Sequence, residues 1–391
     1  MNLDDIRIID TDSHVMEPPD LWTSRMSEKK WGDRIPHLVH DERLDEMRWL
    51  IGGKRLTGVA NWATAGWHEH PPSHPRTLEE AEPGAWNPDA RLERMDDFGI
   101  WAQALYPNLL TFSGHAFRAM GDDALIMESI RAYNDFLTDF AASSPERFIL
   151  LSVLPYWDVE ESVAELLRCK DKGHHGVCFL SKPYKIGLPP LHDPHWEPLF
   201  SVAQETGMSL NFHTGFQEFD EDDFKTMLSA KQARSDYAKL SALSYLGNAE
   251  TLADLTYYGV CHKYPNLKFV LVESGFGWLP YFIEALDWQW SNSGAAKAYP
   301  DMEVPSFYFR RQVYGSFWFE KDTVSRMLDL YADNITFESD YPHPTSLSPG
   351  PASSAKTPRE TILESMADLP DDVCRKVLQD NAAELYHLTI D

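Results

Sequence analysis

From about residue 90 to the C-terminus, short apolar runs alternate with longer amphipathic stretches, and no other feature constrains the fold as much. Eight runs read as strands, at 6–12, 101–106, 148–154, 176–180, 208–213, 267–273, 312–317 and 335–340. Helical patterns lie between most of them, at 122–142, 160–172, 194–206, 240–263 and 322–331. Strands alternating with helices build βαβ units and a parallel sheet. Eight such strands in 391 residues favour a closed (β/α)8 TIM barrel, one domain over 1–391, over an open doubly wound sheet.

Two segments interrupt the pattern. Residues 15–90 follow the first strand and are rich in Pro, Trp and His; within them 48–56 read as a hairpin turning at Gly52-Gly53. This is an insertion expected to form a small flap. Residues 214–240, polar and charged, follow the fifth strand and read as a long loop of the kind that serves as a lid or a partner contact.

Composition excludes several classes. Hydrophobic residues at 43% and aromatics at 13% supply a large core, which argues against disorder. With 61 acidic against 35 basic residues the net charge is −26, which repels phosphate backbones and anionic lipids. No apolar run approaches the ~18 residues of a membrane helix. Nucleic acid and membrane are therefore not expected partners; a small-molecule substrate is. Cys169, Cys178, Cys261 and Cys374 lie far apart without a CxxC pair, the pattern of reduced thiols in a cytoplasmic protein. The acidic start, MNLDDIRIID, runs straight into a strand and does not read as a signal peptide.

The chemistry lies in where the chelating residues fall. Asp12 and His14 close the first strand, His213 the fifth, Glu273 the sixth and Asp340 the eighth. The C-terminal ends of barrel strands converge on one mouth, so these distant positions are expected to meet. Alternation places Asp10, Asp12 and His14 on one face of the first strand. Two N/O ligands from one strand, a His from across the barrel and a further carboxylate suit Zn, Mn or Fe. His115, after the second strand, can reach the mouth as a substrate contact. His68 and His70 in WHEHPP lack the spacing of a fixed chelate and read as surface loop.

The opening IIDTDSHVMEPPDLW, followed by MDDFGIWAQALYP, RAYNDFL, PERFILLSVLP, LNFHTG, YPNLKFVLVESGFGWLPYFIEALD, FESDYPHP and DNAAELYHL, resembles the amidohydrolase superfamily branch that includes aminocarboxymuconate-semialdehyde decarboxylase. The resemblance covers nearly the whole chain outside 15–90 and 214–240 and includes the DSHxxEP opening. It implies a metal-binding barrel whose first-strand His-x-His pair reads Asp12-Ser-His14 here. It further implies His213 and Asp340 as ligands and a dimeric enzyme. Strand six departs from the pattern: Glu273-Ser274-Gly275 stands where members of the branch often have Ser-His-Gly, so the usual acid–base His is missing there.

Glu273 then has two readings, a general base beside metal-bound water or a further ligand that admits a second ion. His343, three residues past Asp340, is either such a ligand or a residue that orients Asp340. The expected activity is hydrolysis or non-oxidative decarboxylation of a small cyclic or aromatic carboxylate, with Glu273, Asp340 and His213 in the catalytic machinery. One or two divalent ions (Zn, Mn or Fe) are expected on Asp12, His14, His213, Glu273, Asp340 and His343. The alternatives are a dinuclear iron or iron–manganese monooxygenase on the same fold, which some relatives of the DSHxxEP type resemble, and a non-catalytic partner subunit, against which the retained chelating set argues. A homodimer or larger assembly is expected, since aromatic surface on the insertion and on YYGVCHKYP needs cover.

Overall fold

A computed structural model describes residues 2–112, 114–214 and 233–390. Its barrel strands are β1 (Ile8–His14), then, after three strands of the insertion, β5 (Ile100–Tyr106), β6 (Phe148–Ser152), β7 (Gly176–Phe179), β8 (Ser209–His213), β9 (Phe269–Val272), β10 (Val313–Phe317) and β11 (Ile335–Phe337). All pairings in this sheet are parallel. It closes on itself in the order β1-β11-β10-β9-β8-β7-β6-β5. The eight-stranded barrel expected from the apolar runs is present. Apart from the half-buried Trp101 of β5, each strand is buried along its whole length, which is why these segments read as continuous apolar runs.

Two apolar layers result. The inner one contains Ile9, Ala102, Ala104, Ile149, Leu151, Cys178, Val270 and Val272, spaced two apart along their strands as inward-facing residues must be. Ala382, Leu385 and Tyr386, at the helix Asn381–Leu385, join this layer, and Tyr386 Oη donates to Asn211 Oδ1 at 2.8 Å. The larger outer layer lies between strands and surrounding helices.

The insertion carries β2 (His37–Asp41), β3 (Glu46–Ile51) and β4 (Lys54–Gly58), an antiparallel sheet in that order. The β3–β4 turn sits at Gly52-Gly53, with φ of 57° and 75°. Positive φ at both positions is what a two-residue type I′ turn demands, and glycine adopts it without strain. Trp22 and Trp49 are fully buried edge to face, centroids 5.0 Å apart, and Trp22 Nε1 donates to the Ser129 carbonyl of the helix Asp123–Ala141. Trp31 is buried as well. The insertion's tryptophans are thus largely covered by its own chain, not by a partner.

Two expectations need correction. The 240–263 pattern is three helices, Ala233–Ser244, Asn248–Tyr257 and Val260–Lys263; Gly247 and Gly259 (φ 78°) lie at the breaks. The first of them occupies the end of the segment read as a loop at 214–240, whose residues 215–232 lie outside those described. No helix among the described residues is long and apolar enough to cross a membrane.

Candidate metal centre

Between Asp10 and Ser13 the β1–β5 register slips: Asp10 faces Gln103, yet Ser13 faces Leu105. Three residues of β1 oppose two of β5, a bulge of the kind that re-aims side chains beside active sites. Past the bulge, Asp12 and His14 are fully buried at the barrel mouth. Asp10 stays behind as a support: it accepts from Gln103 Nε2 (2.8 Å), from Ser339 N (2.9 Å) and from Asp12 N (3.1 Å).

Glu273 and Asp340 fall just beyond β9 and β11, on backbone with φ of 52° and 58°. Left-handed backbone at a non-glycine residue is strained and clusters at functional sites. The surroundings hold both turns. Asp340 N donates to the Asp12 carbonyl (2.9 Å), His14 N to that of Tyr341 (2.6 Å), and Glu273 N to Glu338 Oε2 (3.1 Å).

His14, His213, Asp12 and Asp340 converge. His14 Nε2 lies 2.9 Å from His213 Nε2 and 3.6 Å from both Asp12 Oδ1 and Asp340 Oδ1; His213 Nε2 lies 3.6 Å from Asp12 Oδ1. His213 Nδ1 contacts the Thr214 carbonyl at 2.7 Å, which fixes its proton there and leaves a lone pair on Nε2. The Pro107 carbonyl likewise favours a proton on His14. Two imidazole nitrogens whose lone pairs face each other repel unless a cation takes both. Both Asp12 carboxylate oxygens and Asp340 Oδ1 are buried and accept no hydrogen bond among the described residues, in a molecule where buried polar atoms are normally satisfied. Donor atoms ~3 Å apart are what an ion with ~2.1 Å bonds gathers. The donor set fits a divalent cation.

Electrostatics agree. Burial pushes the Asp12 carboxyl well above its usual range, reinforced by Asp340, Glu273 and Asp10. Burial also raises Asp340 to about 7, opposed by the Thr345 hydroxyl and by His213. His14 is driven well below the usual histidine range by burial and by His343 and His213, and His343 by burial and His213. Neutral imidazoles and mutually repelling carboxylates are the state a metal ion relieves.

The donors form two triplets that share His14: Asp12, His14 and His213, and His14, Asp340 and His343. Of the residues expected as ligands, Glu273 enters neither triplet among the described residues. Its Oε2 is 3.5 Å from His213 Nδ1, behind the ring, and accepts from Thr214 Oγ1 at 3.2 Å. At 12% its side chain is the most exposed of the group. His115 lies in the helix Gly114–Arg118, its side chain outside those described. His68 and His70 are exposed.

Several residues at this end escaped sequence reasoning. Burial raises the phenols of Tyr237 and Tyr245, which follow β8, and the charges of Glu273 and Asp340 raise them further. Trp62 of the flap lies 5.9 Å from His343, ring to ring, and Thr64 N and Ala65 N both donate to the Pro342 carbonyl. Glu338 is buried beneath the centre. An acid one position before Ser339-Asp340, inside a strand end otherwise read as apolar, was the available signal.

Comparison with known proteins follows the same lines. A family model described as amidohydrolase matches residues 9–388. The γ-resorcylate decarboxylase of a Rhizobium species is 24% identical over 266 residues, 65% of this chain and 76% of that protein. Among solved structures, an amidohydrolase from Mycobacterium avium subsp. paratuberculosis superposes with a TM-score of 0.74 at 22% identity, over 98% of this chain and 99% of the other. A dihydroxybenzoic acid decarboxylase from a Polaromonas species, with bound manganese and the inhibitor 2-nitroresorcinol, gives 0.62 at 18% identity over 98% of each chain.

Proposed function

We propose, from the premise that this chain belongs to the amidohydrolase family, that it is a metal-dependent enzyme acting on a small aromatic or cyclic carboxylate, by non-oxidative decarboxylation or by hydrolysis. The observation that carries this reading is the set of buried carboxylate oxygens that accept no hydrogen bond among the described residues, Asp12 Oδ1 and Oδ2 and Asp340 Oδ1, beside two facing Nε2 atoms. Asp12, His14, His213 and Asp340 would hold the ion. Bound there, a divalent ion supplies Lewis-acid polarisation of a carboxylate or carbonyl oxygen and lowers the pKa of water.

The chain's own residues supply orientation and proton transfer. Thr345 Oγ1 donates to Asp340 Oδ2 and so turns Oδ1 toward the centre. Glu273, partly open to the mouth, would hand a proton to a ring carbon as the carboxylate leaves as CO₂ and its bonding pair stays with the ring, or take a proton from water. Tyr237, Tyr245 and Trp62 give the surroundings an aromatic character that suits a flat substrate. The aromatic carboxylates acted on by the decarboxylases named above support that class. The buried thiols at Cys169, Cys178, Cys261 and Cys374 suit a cytoplasmic setting, and the active unit is read as a homodimer.

A second reading, an oxygenase using two iron ions, draws on the His14–Asp340–His343 triplet beside the first. Glu273→Gln tests both. Under the main reading the variant keeps its metal content and loses turnover at least 100-fold, because an amide neither takes nor gives the proton. Full turnover in the Gln variant rules out the proton-transfer role. A fall from two irons to one together with lost O₂ uptake transfers the case to the oxygenase.

A further inference from the structure

Glu17 and Asn108 belong to neither triplet, yet both are almost completely buried beside the centre. Glu17 lies three residues past His14, in the VMEPP stretch, where an acid is flanked by apolar residues and prolines. Its Oε1 accepts Asn108 N at 2.9 Å and Leu109 N at 2.8 Å, so it ties the segment after β1 to the segment after β5. Asn108 is thereby fixed in position, and its amide is fixed in orientation. Nδ2 donates to the Val15 carbonyl at 2.9 Å, and the amide also hydrogen-bonds the Glu17 carboxyl. With its NH₂ committed to acceptors, Asn108 can present only its oxygen to His343, and Oδ1 lies 2.8 Å from His343 Nε2.

An acceptor at Nε2 makes that nitrogen the N–H, and the lone pair of the neutral ring then sits on Nδ1. Nδ1 lies 2.9 Å from Asp340 Oδ1, the buried oxygen that accepts no hydrogen bond among the described residues, and the ring stacks on His14 with centroids 3.7 Å apart. Two lone pairs are therefore brought together on residues three apart in one turn. We propose that Glu17 and Asn108 are positioning residues that lock His343 in its Nε2–H form, so that Nδ1 joins Asp340 in accepting a second cation beside the first, with Asp340 contributing to both. The proposal rests on the metal-centre reading above and adds to it a device that sets which nitrogen of His343 is a ligand. Metal-binding histidines commonly need such a partner on the other ring nitrogen, and its loss costs about 10–100-fold in affinity.

The test is Mn²⁺ titration of metal-free full-length protein, with bound ions counted by equilibrium dialysis, and ¹⁵N-histidine NMR of the metal-free protein to read the tautomer. The wild type is expected to bind two Mn²⁺ per chain, with His343 protonated on Nε2. Asn108→Leu is expected to bind the weaker Mn²⁺ at least tenfold less tightly and to lose the single tautomer. Glu17→Gln, which keeps an oxygen for the two backbone N–H groups, is expected to retain both. If Asn108→Leu does not fold, two substitutions at His343 decide. His343→Asn keeps a donor atom near the Nδ1 position and His343→Gln one near Nε2, so only the Asn variant should hold the weaker ion within tenfold of wild type. Equal binding by the two, or an Asn108→Leu protein with unchanged affinity and tautomer, overturns the lock while leaving the first ion's site intact. A wild type that binds no Mn²⁺ overturns the metal-centre reading and the lock with it.

Discussion

Asp12 has two buried carboxylate oxygens that no donor among the described residues meets, and His14 and His213 point their inner nitrogens at the same space. Removing one donor should therefore affect the centre far more than the fold. His213→Ala is expected to lose at least 100-fold in affinity for Mn²⁺ or Zn²⁺ while its far-ultraviolet circular dichroism stays unchanged, because the barrel's apolar layers do not contain His213. Undiminished binding would remove β8 from the centre. Glu17 makes a different test. Burial raises its carboxyl to about 7 from an ordinary value of 4.5, so between those values the folded chain holds a proton the unfolded chain has released. That contribution to stability is full below about pH 4.5 and is lost as pH rises to about 7. Glu17→Gln has no such proton to lose. Relative to wild type it should gain stability on going from pH 5 to pH 8, by at most ~3 kcal/mol, in urea melts of the two proteins. A constant difference across that range would show that Glu17 does not titrate there. At this scale Asp12, His14, His213 and Asp340 were legible because each falls at or just past the end of a short apolar run. Glu17 and Asn108 were not, because their significance lies in contacts between two loops that periodicity does not register.

The barrel strands announced themselves because a strand buried on both faces has little option but to be apolar, and short apolar runs stand out against amphipathic helices. Their ends were less legible. Glu273 and Asp340 were read as the last strand residues, whereas the ladder stops at Val272 and Phe337 and the chain turns through left-handed backbone to present them. Nothing in a Glu or Asp codes for positive φ; the hydrogen bonds to Glu338 and Asp12 impose it. The helix Ala233–Ser244 was missed for the opposite reason, since charge and Ser content made a helical stretch look like loop. The flap hairpin was readable from Gly52-Gly53 alone, and it permits a clean test at the level of one element. A side chain at Gly53 would meet nothing within 4 Å, so replacing it perturbs only the backbone preference at φ 75°. Gly53→Val should lower stability by ~1–2 kcal/mol, read as a drop in Tm, with metal content unchanged. An unaltered Tm would mean that the hairpin contributes nothing to global unfolding. Lost metal would mean that the flap shapes the centre more tightly than the Trp62–His343 contact requires.

For the molecule as a whole, the acidic surface and the aromatic surface pull in opposite directions. A net charge of −26 opposes association of two copies. The aromatic residues first expected to require a partner are mostly covered within the chain, Trp22, Trp31 and Trp49 in the insertion and Tyr264 in YYGVCHKYP; of the three tyrosines in that last stretch Tyr258 alone is well exposed. The open aromatic surface lies elsewhere. The helix Leu279–Asn292 exposes Tyr281 at 78% and Trp288 at 67%, seven residues apart and so on one face, and Tyr299 and Phe307 are exposed in the segments that follow. Aromatic side chains presented in series on one helix face are what an isologous interface buries, with two copies of the same face meeting across a twofold axis. The protein is therefore expected to run as a dimer in light scattering, and more firmly at high salt, where screening removes the charge repulsion and leaves the apolar attraction. Trp288→Glu should shift it toward the 44.8 kDa monomer without loss of secondary structure, because the side chain lies outside the fold's own core and a buried carboxylate would meet its symmetry mate. A wild type that stays monomeric at both salt concentrations would leave this face without a role in self-association. A dimer indifferent to Trp288→Glu would move the interface to another part of the surface.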